Sequence, residues 1–228
     1  AFARLSAEVL SASGIKVYIF PSLRPTPVLS YAVLKLGCIA GINITASHNP
    51  SAYNGYKAYW EDGAQLPPDH AKRVSDAMDS IDIFKDVPAP EKADKSKIIT
   101  VSDLIDEPYM ECVLEQRVNP DAITAVADDL RIVYTPLHGA GAVMVPEVLR
   151  RAGVKNLYTV DEQMAPDGSF PTVYYPNPEF PEAFKLGIEL AEKVSSELVV
   201  ATDPDCDRVG IAVNTGSDYK LLSGNDVG

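Results

Sequence analysis

The chain has 228 residues, 46% hydrophobic and 23% charged, with a formal net charge of −12 at pH 7. That length holds one large domain or two of about 100 residues, each able to bury a core. The acidic balance, with no basic stripe, argues against a nucleic-acid partner, whose phosphates are held by clustered Lys and Arg, and no apolar run approaches the roughly 20 residues that span a bilayer. Cys38, Cys112 and Cys206 form neither a disulfide framework nor a C-x-x-C metal site, which fits a reducing cytoplasm. There is no initiator Met, the chain opens inside a helical pattern, and it stops on "SGNDVG". This reads as a fragment.

Helical spacing (Phe2, Leu5, Val9) runs over residues 2–13 and ends at Gly14, and "IKVYIF" reads as a strand. Thr26 and Pro27 make an N-cap and N1 pair before the helical "VLSYAVLKL", Gly37 closes it, and "AGINIT" is a short strand. "YKAYW" is the next strand, "EDGAQ" a turn, and Pro67 to Ile81 an amphipathic helix. The polar, Pro-rich "KDVPAPEKADKSK" connects it to the strand "IITVS".

From Leu104 the alternation resumes: a helix to Val118, strand "RIVYT", loop "PLHGAG", helix "VMVPEVLRRAG" and strand "NLYTV". An aromatic and proline-rich loop follows, then a helix from Pro181 to Ser195 and the strands "ELVVAT" and "VGIAV". The pattern predicts an α/β protein of two domains with mixed, mainly parallel sheets, residues 1–104 and 105–228. In such sheets the loops beyond the strand C-termini carry ligands.

Two of those loops hold chemistry-bearing residues. In "DPDCDR", Asp203, Asp205 and Asp207 alternate, and three converging carboxylates repel one another by about 1 kcal/mol per pair even in water. A hard cation with oxygen ligands, Mg²⁺ or Ca²⁺, resolves the repulsion. An EF-hand is excluded, because Arg208 and Asn214 stand where its Gly and Glu are required. The remaining alternative for this loop is a solvated acidic turn. Mg²⁺ keeps coordination sites for water or phosphate oxygens, so a phosphate is expected nearby, and Arg208 reads either as a partner of the acidic cluster or as the group that holds that phosphate. In "ITASHNPSAYNGYK", Ser47 reads either as a turn or N-cap serine or as a phosphate carrier whose oxygens complete the cation's shell. His138 in "PLHGAG" reads as a turn residue or part of an anion cradle, and Cys206 as a small packing residue.

"TASHNPSAYNGYK" and "DPDCDRVGIAV", in that order and about one domain apart, resemble the α-D-phosphohexomutase family. "RPTPVLSYAV", "YWEDGAQ", "TPLHGAG" and "SGNDVG" are similar to its phosphoglucomutase and phosphopentomutase-like branch. The resemblance implies the first two of four domains, with the first residues of the third. It further implies Ser47 as a phosphoserine, Mg²⁺ held by Ser47, Asp203, Asp205 and Asp207, and Lys57 as general acid/base. His48 is then a catalytic-site residue that contacts phosphate or orients its neighbours, and Arg208 and Asn49 are phosphate-binding residues. The implied reaction interconverts glucose 1-phosphate and glucose 6-phosphate, with glucose 1,6-bisphosphate as intermediate and activator. Mannose or pentose phosphates are the alternative substrates, and a non-catalytic sugar-phosphate or metal-binding module is the alternative role. Domains 3 and 4 of the parent chain would be needed for turnover.

Overall fold

The structure, a computed structural model, describes residues 1–227. The chain forms two compact units, neither of them one continuous segment. The first contains Ala1–Leu23, Val28–Thr45 and Gly55–Glu107, and the second Arg24–Pro27, Ala46–Asn54 and Pro108 onward.

In the first unit α1 (Phe2–Ala12) leads into β1 (Val17–Ile19). Helix α2 (Thr26–Leu36) has its first two residues in the second unit and the rest in the first. Strands β2 (Ala40–Ile44) and β3 (Tyr56–Trp60) form an antiparallel pair in which Asn43 faces Lys57. Helix α3 (Pro68–Met78) starts on a proline whose missing N–H costs nothing there, and none of its residues is buried. Strand β4 (Ile98–Thr100) pairs in parallel with β1. The sheet packs closely on α2 at Gly41, where a Cβ would lie 2.7 Å from Val33 Cγ2.

Helix α4 (Asp103–Glu115) runs unbroken across residues 104 and 105, the boundary expected from the sequence, and the division between units falls inside it, after Glu107. The second unit continues with α5 (Pro120–Val126), β5 (Arg131–Thr135), α6 (Gly141–Arg151), β6 (Asn156–Thr159) and α7 (Asp161–Met164). After a 3₁₀ turn at Pro181–Phe184 come α8 (Lys185–Val194), β7 (Leu198–Thr202), β8 (Val209–Asn214), β9 (Tyr219–Leu222) and α9 (Gly224–Val227). Helix α4 stops at Glu115, short of the expected Val118, and a further helix follows in α5, which is capped by the Asn119 side chain accepting from Ala122 N–H at 3.2 Å.

Five strands form one sheet in the order β6-β5-β7-β8-β9. Strand β5 pairs in parallel with β6 and β7, whereas the β7–β8 and β8–β9 pairs are antiparallel. The sheets are therefore mixed, but the parallel share is not the main one. Hairpins at β2–β3 and through β7–β8–β9 supply antiparallel pairings that the helix–strand alternation did not announce. Val133 on β5, Val199 and Ala201 on β7, and Ala212 on β8 form the core with Val160, Phe184 and Ala191.

Strand order locates the working edge. From β5 the chain crosses to β6 on one side and returns to β7 on the other. The connections diverge between the C-terminal ends of β5 and β7, the place where open α/β sheets leave a crevice. The loops that leave those ends are "PLHGAG" and "DPDCDR".

Candidate functional site

Thr202 ends β7 and the next six residues fold back on themselves before β8 begins at Val209. Asp203 is fully buried and acts as the hub of this turn. Its carboxylate Oδ1 accepts from the backbone N–H groups of Asp207 (3.2 Å) and Arg208 (3.0 Å), while its carbonyl accepts from Cys206 N–H (2.9 Å). The next two carbonyls are also anchored, Pro204 to Ala140 N–H (2.7 Å) and Asp205 to Thr26 N–H (2.8 Å). Cys206 completes the turn in the left-handed region at φ 56°. A loop held this way points its side chains from a fixed frame.

The side chains converge. One oxygen from each of Asp203, Asp205 and Asp207 lies within 4.8 Å of the others, with Asp203 and Asp205 buried and Asp207 exposed. The residues 46–54 belong to this same unit and bring Ser47 in, its Oγ 2.9 Å from Asp203 Oδ2 and 2.9 Å from Asp205 Oδ1. Ser47 also has a positive φ, 53°, an uncommon conformation for a non-glycine residue and one that concentrates at functional sites. Asn49 holds that turn by donating both its backbone N–H (3.1 Å) and its side-chain amide (2.9 Å) to the Ala46 carbonyl.

A hydroxyl has one proton, so Ser47 cannot donate to both carboxylates at once. With both aspartates ionised, one of the two 2.9 Å contacts sets oxygen against oxygen with no hydrogen between. A second proton removes the conflict. Burial, with Asp205 adding to it by hydrogen bonding and by repulsion, pushes Asp203 up to about 7. A cation removes it equally well, and four hard oxygens with two charges already buried are the donor set that Mg²⁺ or Ca²⁺ prefers. The residues present therefore fit a hard divalent ion.

Around this centre, His48 Nδ1 lies 3.2 Å from Ser47 Oγ. Burial and the Arg208 charge hold its imidazole below the usual range, against the pull of Asp205, Glu179 and Asp207. The ring is thus largely neutral at pH 7 and able to accept a proton. Arg208 is exposed, with its guanidinium at a loose 3.4 Å from Glu179. Lys57 lies on β3 in the first unit. The Cys206 thiol is pushed up to about 12 by burial and by the three aspartates around it, although Thr202 hydrogen-bonds it. It stays protonated and is a packing residue rather than a soft ligand.

His138 is buried and spent on architecture. Its Nδ1 faces the Ala165 carbonyl (3.1 Å), an acceptor only, so Nδ1 carries hydrogen, and in the neutral ring Nε2 accepts from the Thr172 hydroxyl (2.8 Å). Gln163 joins the same network through Thr135 Oγ1 (2.6 Å) and Thr172 Oγ1 (2.9 Å). Thr26, Tyr134 and Thr202, which hold or underlie the aspartate loop, and Gln163, which ties the neighbouring His138 turn, are not marked as site residues by the sequence. The Thr26-Pro27 signature gives only a helix start, and buried polar residues inside strands carry no linear signal.

Residues 1–84 match the family model "Phosphoglucomutase/phosphomannomutase, alpha/beta/alpha domain I", and residues 107–216 match domain II of the same family. The chain belongs to the phosphoglucomutase/phosphomannomutase family, the α-D-phosphohexomutases. It is 38% identical to a phosphoglucomutase of Staphylococcus saprophyticus over its full length and 41% of the relative's. It is 36% identical to a phosphopentomutase of Pongo abelii, again over its full length and 37% of the relative's. A solved structure of a presumed phosphomannomutase from Thermus thermophilus superposes with a TM-score of 0.74 at 28% identity, covering 96% of this chain and 46% of that one. The chain spans less than half the length of each of these relatives.

Proposed function

We propose that this chain is the phosphoryl-carrying and cation-binding part of a phosphoglucomutase that interconverts glucose 1-phosphate and glucose 6-phosphate. The observation that carries the reading is the convergence of the Ser47 hydroxyl on two buried carboxylates, 2.9 Å from each. Specificity for mannose or pentose phosphates is the second reading, since a relative named as a phosphopentomutase stands at 36% identity beside the phosphoglucomutase at 38%.

Ser47 carries the phosphoryl group. As phosphoserine it adds a charge of about −1.5 to −2 beside three aspartates. Asp203, Asp205, Asp207 and a phosphoserine oxygen would hold Mg²⁺, which would neutralise charge on the moving group. A free hydroxyl of the bound sugar monophosphate attacks phosphorus, the bond from phosphorus to Ser47 Oγ breaks, and Lys57 takes the hydroxyl's proton as general base and delivers it to the departing Oγ as general acid. The resulting glucose 1,6-bisphosphate turns over, Ser47 Oγ gives its proton to Lys57 as it attacks the other phosphorus, and Lys57 passes that proton to the departing sugar oxygen. Free glucose 1,6-bisphosphate recharges an empty serine by the same second half-reaction, which is how it acts as activator. His48, at hydrogen-bonding distance from Oγ, orients the serine, and Arg208 exchanges its loose contact with Glu179 for the stronger bidentate hold on phosphate oxygens. Asn49 contributes by fixing the turn that presents Ser47.

The test uses the full-length protein. Intact-mass analysis after exposure to glucose 1,6-bisphosphate should show one added phosphate, absent in Ser47→Ala, and turnover should be greatest on glucose 1-phosphate. A wild-type protein that takes no phosphate at Ser47 overturns the mutase reading, and a preference for ribose 1-phosphate replaces the substrate with a pentose phosphate.

A further inference from the structure

The turn Pro136–Gly141 plays no part in the proposed chemistry, yet it is pressed against the aspartate loop. A Cβ on Gly139 would lie 2.6 Å from the Pro204 carbonyl oxygen and collide with Pro204 Cα. These are backbone atoms, so no rotamer change relieves the clash. The same close approach lets Ala140 N–H reach the Pro204 carbonyl at 2.7 Å. Two residues on, a Cβ on Gly141 would collide with the Tyr134 hydroxyl and lie 2.9 Å from Thr202 Oγ1 and 3.0 Å from Cys206 Sγ. Tyr134 and Thr202 are themselves buried and joined by a 2.9 Å hydrogen bond under the loop. The loop therefore rests on a floor (Tyr134, Thr202) and against a wall (Gly139, Ala140), with the wall built from the turn between β5 and α6.

We propose that this turn is a positioning element for the aspartate loop, with Gly139 and Gly141 as its positioning residues. Their missing side chains admit Pro204 and the Tyr134–Thr202 pair to the distances at which Asp203 Oδ1 receives the Asp207 and Arg208 amides and Oδ2 faces Ser47. Cation ligation tolerates displacements of only about 0.2 Å. A shift of Pro204 large enough to house a methyl group exceeds that. The geometric part of this inference stands by itself, while its consequence for cation affinity rests on the role proposed above for Asp203, Asp205 and Asp207.

The experiment compares Gly139→Ala with Gly168→Ala, a control whose added Cβ meets no atom within 4 Å. In cation-free protein, amide exchange at Asp207 and Arg208 should speed up by about 10-fold or more in Gly139→Ala and stay unchanged in the control. Mn²⁺ affinity, read by electron paramagnetic resonance, should fall by about 10-fold or more in the same variant. Unchanged exchange at both amides in folded Gly139→Ala overturns the proposal. Should that variant not fold, Gly141→Ala takes its place: it should speed the same exchange, and adding Tyr134→Phe, which deletes the colliding hydroxyl, should recover protection. No recovery overturns the proposal. A wild-type protein that binds no Mn²⁺ but shows the exchange difference removes the cation role and leaves the positioning role standing.

Discussion

Asp203 is the residue on which charge, proton and cation compete. Its carboxyl is pushed up to about 7 by burial and by Asp205, far above the range of an exposed aspartate. A carboxyl whose folded-state value exceeds its unfolded value binds the extra proton in the folded state, so the destabilisation is absent below the ordinary aspartate value of 3.8, grows as pH rises from there to about 7, and is constant above. Cation-free protein should accordingly lose thermal stability through this group between about pH 4 and 7 and no further above, and the gain on adding Mg²⁺ should be larger at about pH 8 than at about pH 5.5. A Mg²⁺ shift equal at both pH values in a thermal melt would remove Asp203 as the competing group. Asp203→Asn is expected to stabilise the cation-free chain by about 1 kcal/mol or more, because its amide oxygen still accepts the Asp207 and Arg208 amides while one buried charge is gone. The same change should abolish measurable Mn²⁺ binding. The three carboxylates were legible in the sequence as a candidate cation site because like charges at alternate positions repel, with a solvated acidic turn as the other reading. What supports them was not, since Tyr134 inside "RIVYT" and Thr202 at the end of "ELVVAT" look like any strand residues until the fold stacks one on the other.

At the scale of elements, the second unit depends on how tightly helices approach the sheet. Gly187 on α8 faces β7, where an added Cβ would lie 2.7 Å from Val199 Cγ1. Gly187→Ala should destabilise this unit by about 1–3 kcal/mol, and Val199→Ala, which removes the opposing methyl groups, should make the double variant less costly than the sum of the two, as chemical denaturation would show. Strictly additive losses would mean that α8 does not seat on Val199. The alternation of helices and strands announced most of these elements, because apolar period and Gly or Pro stops are local. Helix α5, the short α7 and strand β9 went unread: each is brief, and its place is set by pairing or capping partners elsewhere. Mixed sheets were expected, but the size of their antiparallel share was not legible for the same reason, as a strand's direction relative to its neighbour is not written in its own residues.

For the molecule as a whole, the net charge of −12 attracts cations and repels anionic sugar phosphates at long range. Mn²⁺ affinity of the chain should therefore fall as ionic strength rises from about 0.01 to about 0.15 M, over which the screening length shrinks from about 30 to about 8 Å. An affinity that does not move with salt would confine the attraction to the three aspartates and Ser47. The sequence suggested a cut between residues 104 and 105, but the chain crosses between its two compact units five times, and the segments holding Thr26 and Ser47 are contributed to the second unit from the first part of the chain. This matters for anyone recombining relatives. A chimera joined at residue 107 would take its aspartate loop from one parent, and from the other both the serine that faces it and the Thr26 amide that anchors it. Inheritance of the cradle would be split even though each parental segment looked, on paper, like an intact domain.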